Sequence, residues 1–380
     1  CRGFAPEAAV DRGDDALPRR MRFTAVEARH VEDVDVVKFG GQRLGIHFLQ
    51  PDRDERSAVE ADAAFDADPA ALDRGGAGIR QLITLAALLL DVAATRGDAP
   101  PAFEQLRWTA PDAELALLSG QPDACLARGD DALVRSGRAL FGAPTLLGGQ
   151  AAKAGLSCAS CHVNGRGNPH FLLAGVSAAP GTADVTNSFF SAARGNARFD
   201  PVVIPDLAMP GKIARDPDAR ALEPFIRNLI VEEFGGQEPT PAMLEALATY
   251  VRVVGPCAPE RTTARRLDDQ LRALDDGIAG ASLMIDRGDR QGAALSIAAM
   301  RHQLGLIAER YAGRDFDRER TALLTASREL QAIGNIPDRA RFRHALERWK
   351  VDFDRGAAKR LRRTEYRSLY EAGHLAQSLR

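Results

Sequence analysis

Two cysteines and a histidine near the middle of the chain constrain its fold more than any other feature. Cys158 and Cys161 stand three positions apart and His162 follows directly, which gives the pattern C-x-x-C-H. Two thiols at this spacing can reach the two vinyl groups of one porphyrin, and the adjacent imidazole can then bind the iron as proximal ligand. The motif occurs once in the sequence. The pattern therefore predicts one covalently attached haem c.

The same cysteine pair has two alternative interpretations. A C-x-x-C pair also occurs in redox disulfides and in zinc sites. A zinc site needs a second pair of cysteines or histidines, and the other cysteines of this chain stand alone. A thioredoxin-like disulfide needs a βαβ context, whereas the flanks here are rich in glycine. Haem attachment is the interpretation that the spacing favours.

The chain as given begins at Cys1. A bacterial lipoprotein is cut before a cysteine and acylated on it, so Cys1 is predicted to carry a lipid anchor. An arbitrary start is the alternative. Haem c is attached outside the cytoplasm, which agrees with an exported protein. The expected location is the bacterial periplasm, with anchoring to the inner or outer membrane. The longest apolar run, 82–92, is shorter than the ~20 residues of a spanning helix.

Cys125 and Cys257 are the two remaining cysteines. In an oxidising compartment such leftover cysteines often pair, so a disulfide between them is predicted. The bridge would close a long loop around the C-x-x-C-H motif. Two free, buried thiols are the alternative.

Length and charge limit the class of protein. The chain has 380 residues, 45% of them hydrophobic and 27% charged, which is typical of a folded protein of two or three domains. The net charge of -2 argues against nucleic acid as a partner. Residues 261–380 hold 24 basic and 17 acidic side chains, so this region is about +7 and the rest about -9. The asymmetry indicates docking to an acidic partner, and a solvated helical surface is the alternative.

Three regions are predicted along the chain, and the first spans residues 1–120. Segments 34–39 and 42–48 flank a Gly-Gly pair and predict a β-hairpin. Residues 51–77 have no clear period and are expected to form a loop. A buried helix is predicted over 78–95.

Residues 121–258 form the second region. Segment 130–141 is amphipathic, and 240–254 begins with Thr240 as N-cap and a proline in the first turn. Gly137 is expected to let these two helices cross closely, with Tyr250 beside it. The order of helix, C-x-x-C-H, long loop and terminal helix resembles a class I c-type cytochrome.

Two longer stretches extend this resemblance. "GGQAAKAGLSCASCHVNGRG" and "FIRNLIVEEFGGQEPTPAMLEALATYVRVV" are similar to the haem domains of the di-haem cytochrome c peroxidase and MauG-like superfamily. The similarity covers about a third of the chain. It implies a cytochrome c-like fold with one haem held by Cys158, Cys161 and His162. The superfamily carries two C-x-x-C-H motifs and this chain carries one. The segment where the superfamily has a further ligand reads "ARDPDAR" here, without histidine or methionine.

Residues 259–380 are the third region. Apolar residues recur at helical spacing and predict a bundle of four or five antiparallel helices. The fold class expected for the whole chain is therefore mainly α: a cytochrome c-like haem domain between a mixed N-terminal region and a C-terminal helical bundle.

A low-spin electron carrier needs a sixth iron ligand. Met209, followed by a proline, is the first candidate. A "Met-Pro" pair 47 positions after His162 (209 − 162) resembles the distal loop of short bacterial cytochromes. His170 is the second candidate, and an open position is the third possibility. Arg166 and Arg198 are candidates for pairing with haem propionates, since the guanidinium fork matches a carboxylate.

Two functions are compatible with these patterns. The first is electron transfer by a mono-haem cytochrome, as a subunit or adaptor of a larger membrane or envelope complex with redox protein partners. The second is a peroxidase or MauG-like enzyme, or a haem gas-binding protein, with an open distal site. The first needs no catalytic residues beyond the haem ligands, and none are assigned.

Overall fold

A computed structural model describes residues 38–39, 42–43, 108–127, 129–190, 195–216, 218, 221–258 and 262–378. Cys1 and the predicted helix over 78–95 lie outside these residues. The chain divides into two compact units, Cys1–Ile83 and Thr84–Arg380. This division differs from the boundaries at 120 and 258 that the sequence suggests.

The described part of the first unit is a short hairpin. Strands β1 (Lys38–Phe39) and β2 (Gln42–Arg43) pair antiparallel, with Lys38 opposite Arg43 and Phe39 opposite Gln42. Lys38–Phe39 and Gln42–Arg43 fall within the two segments predicted as strands, and the two glycines between them lie outside the described residues.

The second unit is mostly helical, so the mainly-α class is confirmed. Its strands are short and pair as β3 with β8, β4 with β7 and β5 with β6. The helices are α1 (Glu114–Ser119), α2 (Ala132–Phe141), α3 (Pro144–Leu147), α4 (Gly149–Lys153), α5 (Cys158–Cys161), α6 (Leu222–Asn228), α7 (Pro241–Val253), α8 (Leu267–Asp286), α9 (Arg290–Arg310), α10 (Asp317–Gly334), α11 (Arg339–Phe353), α12 (Lys359–Thr364) and α13 (Ala372–Ser378). The strands are β3 (Gln121–Pro122), β4 (Ala124–Leu126), β5 (Thr182–Ala183), β6 (Val202–Val203), β7 (Val254–Pro256) and β8 (Thr262–Thr263).

Helices α2 and α7 cross in close contact at Gly137. A Cβ atom on this glycine would lie 2.0 Å from the carbonyl oxygen of Ala246 and 2.7 Å from Cβ of Tyr250. Both helices start at side-chain caps: Asp131 accepts from two backbone N–H groups of α2, and Thr240 accepts from the N–H of Met243. The two helices therefore cross where only a glycine fits.

Helices α8, α9, α10 and α11 follow one another through short connections and pack in sequence, with α11 also contacting α8. Helix α2 packs against α8 and, to a smaller extent, against α9. One apolar core consequently runs from α2 and α7 into this bundle. Residues 121–258 and 259–380 thus share a core within the second unit.

An ion-pair cluster reinforces the contact between α2 and α8. The carboxylate of Asp276, which is buried, accepts from Nε of Arg135 at 3.1 Å and from Nε of Arg138 at 2.7 Å. Arg138 also pairs with Asp130. Burial opposes ionisation of Arg138, but its bonds to Asp276 and Asp130 outweigh that effect and raise its pKa.

Cys125 and Cys257 form a disulfide in the structure, and 132 positions separate them in the sequence. The bridge lies on paired strands, because Cys125 of β4 is opposite Gly255 of β7. It ties the start of the segment that contains the C-x-x-C-H motif to its end. Among the described helices, none combines the length and the apolar character that crossing a bilayer requires.

Candidate functional site

The C-x-x-C-H motif folds as a single helical turn, α5. The backbone N–H of Ser157 donates to Oγ of Ser160 at 3.0 Å, and the N–H of Ser160 donates to the carbonyl of Ser157. The side chain of Ser160 thus caps the backbone N–H of Ser157, as the N3 residue does in a capping box, and this bond helps to fix where the turn begins. The N–H of His162 closes the turn on the carbonyl of Cys158. Both cysteines therefore sit on one turn, with the histidine at its end.

Neither thiol of the motif is bonded to another cysteine. Cys158 and Cys161 are both free and half-buried in a structure where Cys125 and Cys257 are joined. Burial raises the pKa of each thiol to about 12. The two groups are consequently neutral at pH 7, which makes them poor metal ligands as they stand.

An apolar cluster packs against both cysteines and sets their environment. Its buried members are Leu147, Ala151, Leu156, Phe171, Val176, Ala183, Phe190 and Ile204. Phe234 and Trp108 cover it from the side. Such surroundings suit a flat, largely apolar group attached through the two sulfurs.

The imidazole of His162 has a buried nitrogen, Nδ1, that lacks a hydrogen-bond partner among the described residues. Burial lowers the pKa of His162 to about 4, although contacts with the backbone of Arg166 and Pro205 oppose this effect. The ring is therefore neutral at pH 7, which is the form that binds a metal. Its centroid lies 6.3 Å from that of Phe141, whose ring contacts Tyr250 edge-on.

A buried ion pair fastens a distant loop to the motif. The guanidinium of Arg166 lies within 2.9 Å of the carboxylate of Asp206 and donates to the carbonyl of Asp123 at 3.0 Å. Arg215 holds the same loop by donating to the carbonyl of Leu207 at 2.8 Å. The loop with the sequence "IPDLAMPG" is thereby held beside the turn that follows His162. For Arg166, the structure thus gives a bracing role that the sequence did not indicate.

Met209 belongs to this loop, but its side chain points away from the core. Leu207 and Ala208 are buried, whereas Met209 is 47% exposed. The loop is thus close to the motif, while the thioether predicted as sixth ligand lies at the surface.

The other predicted residues differ in their surroundings. Asn168 donates to the carbonyl of Ser160 at 2.9 Å and accepts from the backbone N–H of His170 at 3.0 Å, so His170 is linked to the motif through its backbone. The imidazole of His170 is half-buried. Arg198 is exposed. No recorded hydrogen bond or ring contact among the described residues joins either side chain to His162. Sequence reasoning missed Asn168 and Asp206, which follow the motif in glycine- and proline-rich segments.

In the part of the chain that the structure describes, no three His, Cys, Asp or Glu side chains are close enough to share a metal ion. A zinc site at Cys158 and Cys161 thus finds no further ligands of these types there. Comparisons of the chain with protein-family models, curated proteins and solved structures give no match.

Proposed function

We propose that this protein is a mono-haem c-type cytochrome that transfers electrons in the bacterial periplasm, as a subunit or adaptor of a larger complex. The observation that supports the proposal is the geometry of α5. It places two free thiols and a neutral histidine on one turn, against an apolar cluster. Each of these features is what covalent attachment of a haem requires.

Cys158 and Cys161 would hold the porphyrin through thioether bonds, and His162 would bind its iron. When bound, haem c supplies a couple that takes up and releases one electron. The apolar cluster around Cys158 and Cys161 would exclude water, and burial would keep His162 neutral. Met209 remains the first candidate for the sixth ligand and His170 the second, while Arg198 remains a candidate for a propionate.

A strongly basic helical face supports docking to an acidic partner. Segment 339–364 runs through α11, a π-helical turn and α12 and holds 10 basic and 3 acidic residues. Its net charge is therefore about +7, which equals the net charge of the whole region 261–380. Six of its exposed basic side chains form no ion pair with another described residue: Arg341, Arg348, Arg355, Lys359, Arg360 and Arg363. Their unpaired charge suits an acidic redox partner or an acidic subunit of the complex.

A second candidate function is a peroxidase or MauG-like enzyme, or a gas-binding protein. The exposure of Met209 favours it, because an iron without a sixth protein ligand is open to peroxide or gas. A single C-x-x-C-H motif weighs against the di-haem enzymes, which carry two.

A pair of double variants tests haem attachment directly. Cys158→Ala with Cys161→Ala removes both thiols of the motif, whereas Cys125→Ser with Cys257→Ser removes the disulfide and leaves the motif intact. Each protein is produced with the haem-attachment machinery, denatured and assayed for haem that remains on the polypeptide. We expect covalent haem in the wild type and in the second variant, and none in the first. Covalent haem on the Cys158/Cys161 variant, or none on the wild type, would contradict the proposal.

A further inference from the structure

A cleft lies between the C-x-x-C-H turn and the helical bundle in the described part of the molecule. Its volume is about 790 Å³, which is in the range of small-molecule sites. Its lining includes Ser157 and Ser160 at the C-x-x-C-H turn and residues of α8 and α9 in the bundle. The cysteines and the histidine of the motif are not part of its lining. The cleft thus borders the motif at Ala159 and Ser160, while the two thiols and the imidazole lie outside its lining.

A buried amide in this cleft lacks an acceptor. Gln270 is 3% exposed, and its Oε1 accepts from Nε of Arg310 at 2.9 Å. Because a guanidinium only donates, this bond fixes the orientation of the amide. The other end, Nε2, is then a donor, and it has no partner among the described residues. A buried donor without an acceptor is unfavourable unless a ligand or water completes it.

An arginine without a counter-ion lines the same cleft as this amide. Arg310, which binds Oε1 of Gln270, also donates from Nη2 to the backbone carbonyl of Arg265. The side chain of Arg265 lines the cleft, and no hydrogen bond or ion pair joins it to another described residue. Glu309 and Tyr370 act on it only through longer-range electrostatics, while burial lowers its pKa. Arg265 thus presents an unpaired guanidinium to the same cleft as the free end of Gln270.

The remaining charges of the cleft are already balanced. Asp276 pairs with Arg135 and Arg138, and Asp269 pairs with Arg266 and Arg272. Asp275 lies 2.9 Å from Nζ of Lys350. These three carboxylates consequently have cationic partners already. Among the cations that line the cleft, Arg265 is the one that the described residues leave without a partner.

His302 on α9 is a third residue of this cleft that can bind a ligand. Burial lowers the pKa of its imidazole to about 4, and the positive charge of Arg265 contributes to this effect. A neutral imidazole can still donate one N–H to a ligand oxygen. The unsatisfied groups at this end of the cleft are therefore all able to donate.

We propose that Arg265, Gln270 and His302 bind a small oxyanion, a phosphate or a carboxylate, in this cleft. Arg265 would supply the charge and two parallel donors, since a guanidinium matches both anions in this way. Nε2 of Gln270 would donate a further bond that lacks an acceptor in the free protein. The site does not depend on the haem proposal, because no residue of the C-x-x-C-H motif takes part.

Calorimetric titration of the full-length protein with inorganic phosphate and with malonate tests the site at constant ionic strength set by chloride. Two arms separate the two sources of oxyanion, because tighter binding of one identifies its class. Arg265→Gln is the test variant, and it is expected to weaken binding about 10-fold or more, as loss of a charged hydrogen bond does. Gln270→Leu is expected to weaken it as well, but less.

Arg272→Gln is the matched control. Arg272 lines the same cleft but is 62% exposed and paired with Asp269. Its loss is expected to leave the affinity within about 2-fold, because an exposed pair contributes little. Binding of neither anion, or equal weakening by Arg265→Gln and Arg272→Gln, would overturn the proposal. Haem content, measured on the same samples, is expected to be unchanged, so failure here is distinguishable from failure of the haem proposal.

Discussion

Burial keeps two histidines of this protein neutral at pH 7. The pKa values of His162 and His302 are both lowered to about 4, with burial as the main cause.

The C-x-x-C-H motif could be recognised in the sequence, because Cys158 and Cys161 are only three positions apart and local geometry sets the distance between them. The ion pair that holds a distant loop beside this motif could not be predicted. Arg166 and Asp206 are 40 positions apart in the sequence, and no local pattern relates them.

The first prediction concerns His302 and acid stability. Its folded pKa lies below the usual value of 6.5, so the unfolded chain takes up a proton first as the pH falls. The associated stability is complete above the unfolded pKa and is lost as the pH falls towards 4. His302→Gln is expected to reduce the loss of unfolding free energy across this interval by up to about 3 kcal/mol. Urea unfolding at several pH values measures it, and identical pH profiles for variant and wild type would contradict it.

The second prediction concerns the carboxylate of Asp276. Its side chain is 7% exposed and binds two arginines across the contact of α2 with α8. Asp276→Asn is expected to lower the free energy of unfolding by about 3 kcal/mol, because two partly buried guanidinium groups lose their counter-ion. Asp286→Asn is the control, since Asp286 pairs with Arg339 and Arg343 at the surface, and about 1 kcal/mol or less is expected there. Chemical denaturation measures both variants. Equal losses of unfolding free energy in Asp276→Asn and Asp286→Asn would show that burial of the ion-pair cluster does not increase its contribution to stability.

At the level of elements, residues close in the sequence predicted where helices begin. They did not predict which helices pack against each other. Asp131 and Thr240 cap α2 and α7, and caps can be identified from a few neighbouring residues. The close approach at Gly137 was also predictable, because a glycine within an amphipathic helix indicates a crossing point. The contact of α2 with α8 was not, because an apolar face does not specify which distant helix will cover it.

Two glycines in helices provide a matched pair of variants, and their effects are expected to have opposite signs. Gly137→Ala is expected to destabilise the protein by about 3 kcal/mol, since the new Cβ would meet backbone atoms of α7. Gly305 in α9 is exposed and has nothing within 4 Å of such a Cβ. Gly305→Ala is therefore expected to stabilise by about 0.5–1 kcal/mol, because alanine favours the helix. Thermal unfolding measures both, and destabilisation of similar size at the two positions would refute the crossing described for α2 and α7.

At the level of the whole molecule, the disulfide and the shared core join parts that are far apart in the sequence. Cys125 and Cys257 could be paired from the sequence, because the predicted compartment is oxidising and the other cysteines had assignments. The single core of residues 121–258 and 259–380 could not be predicted, because no local pattern shows that apolar faces so far apart in the sequence cover one another. The bundle is therefore continuous with the region around the C-x-x-C-H motif.

The disulfide is expected to contribute about 2–5 kcal/mol to the free energy of unfolding, because it closes a long loop in the unfolded chain. Cys125→Ala with Cys257→Ala removes it without changing α5. The midpoint of urea unfolding is expected to fall by a corresponding amount. An unchanged midpoint would show that the bridge adds nothing to the stability of this unit.

One optical measurement tests the electron-transfer account most directly: the spectrum of the purified, reduced protein before and after addition of carbon monoxide. The account predicts the sharp bands of a low-spin c-type haem, unchanged by carbon monoxide, because both axial positions of the iron are occupied. In Met209→Ala, the methionine charge-transfer band of the oxidised protein is expected to disappear. A protein without haem absorbance, or a haem whose spectrum shifts with carbon monoxide, would contradict the account.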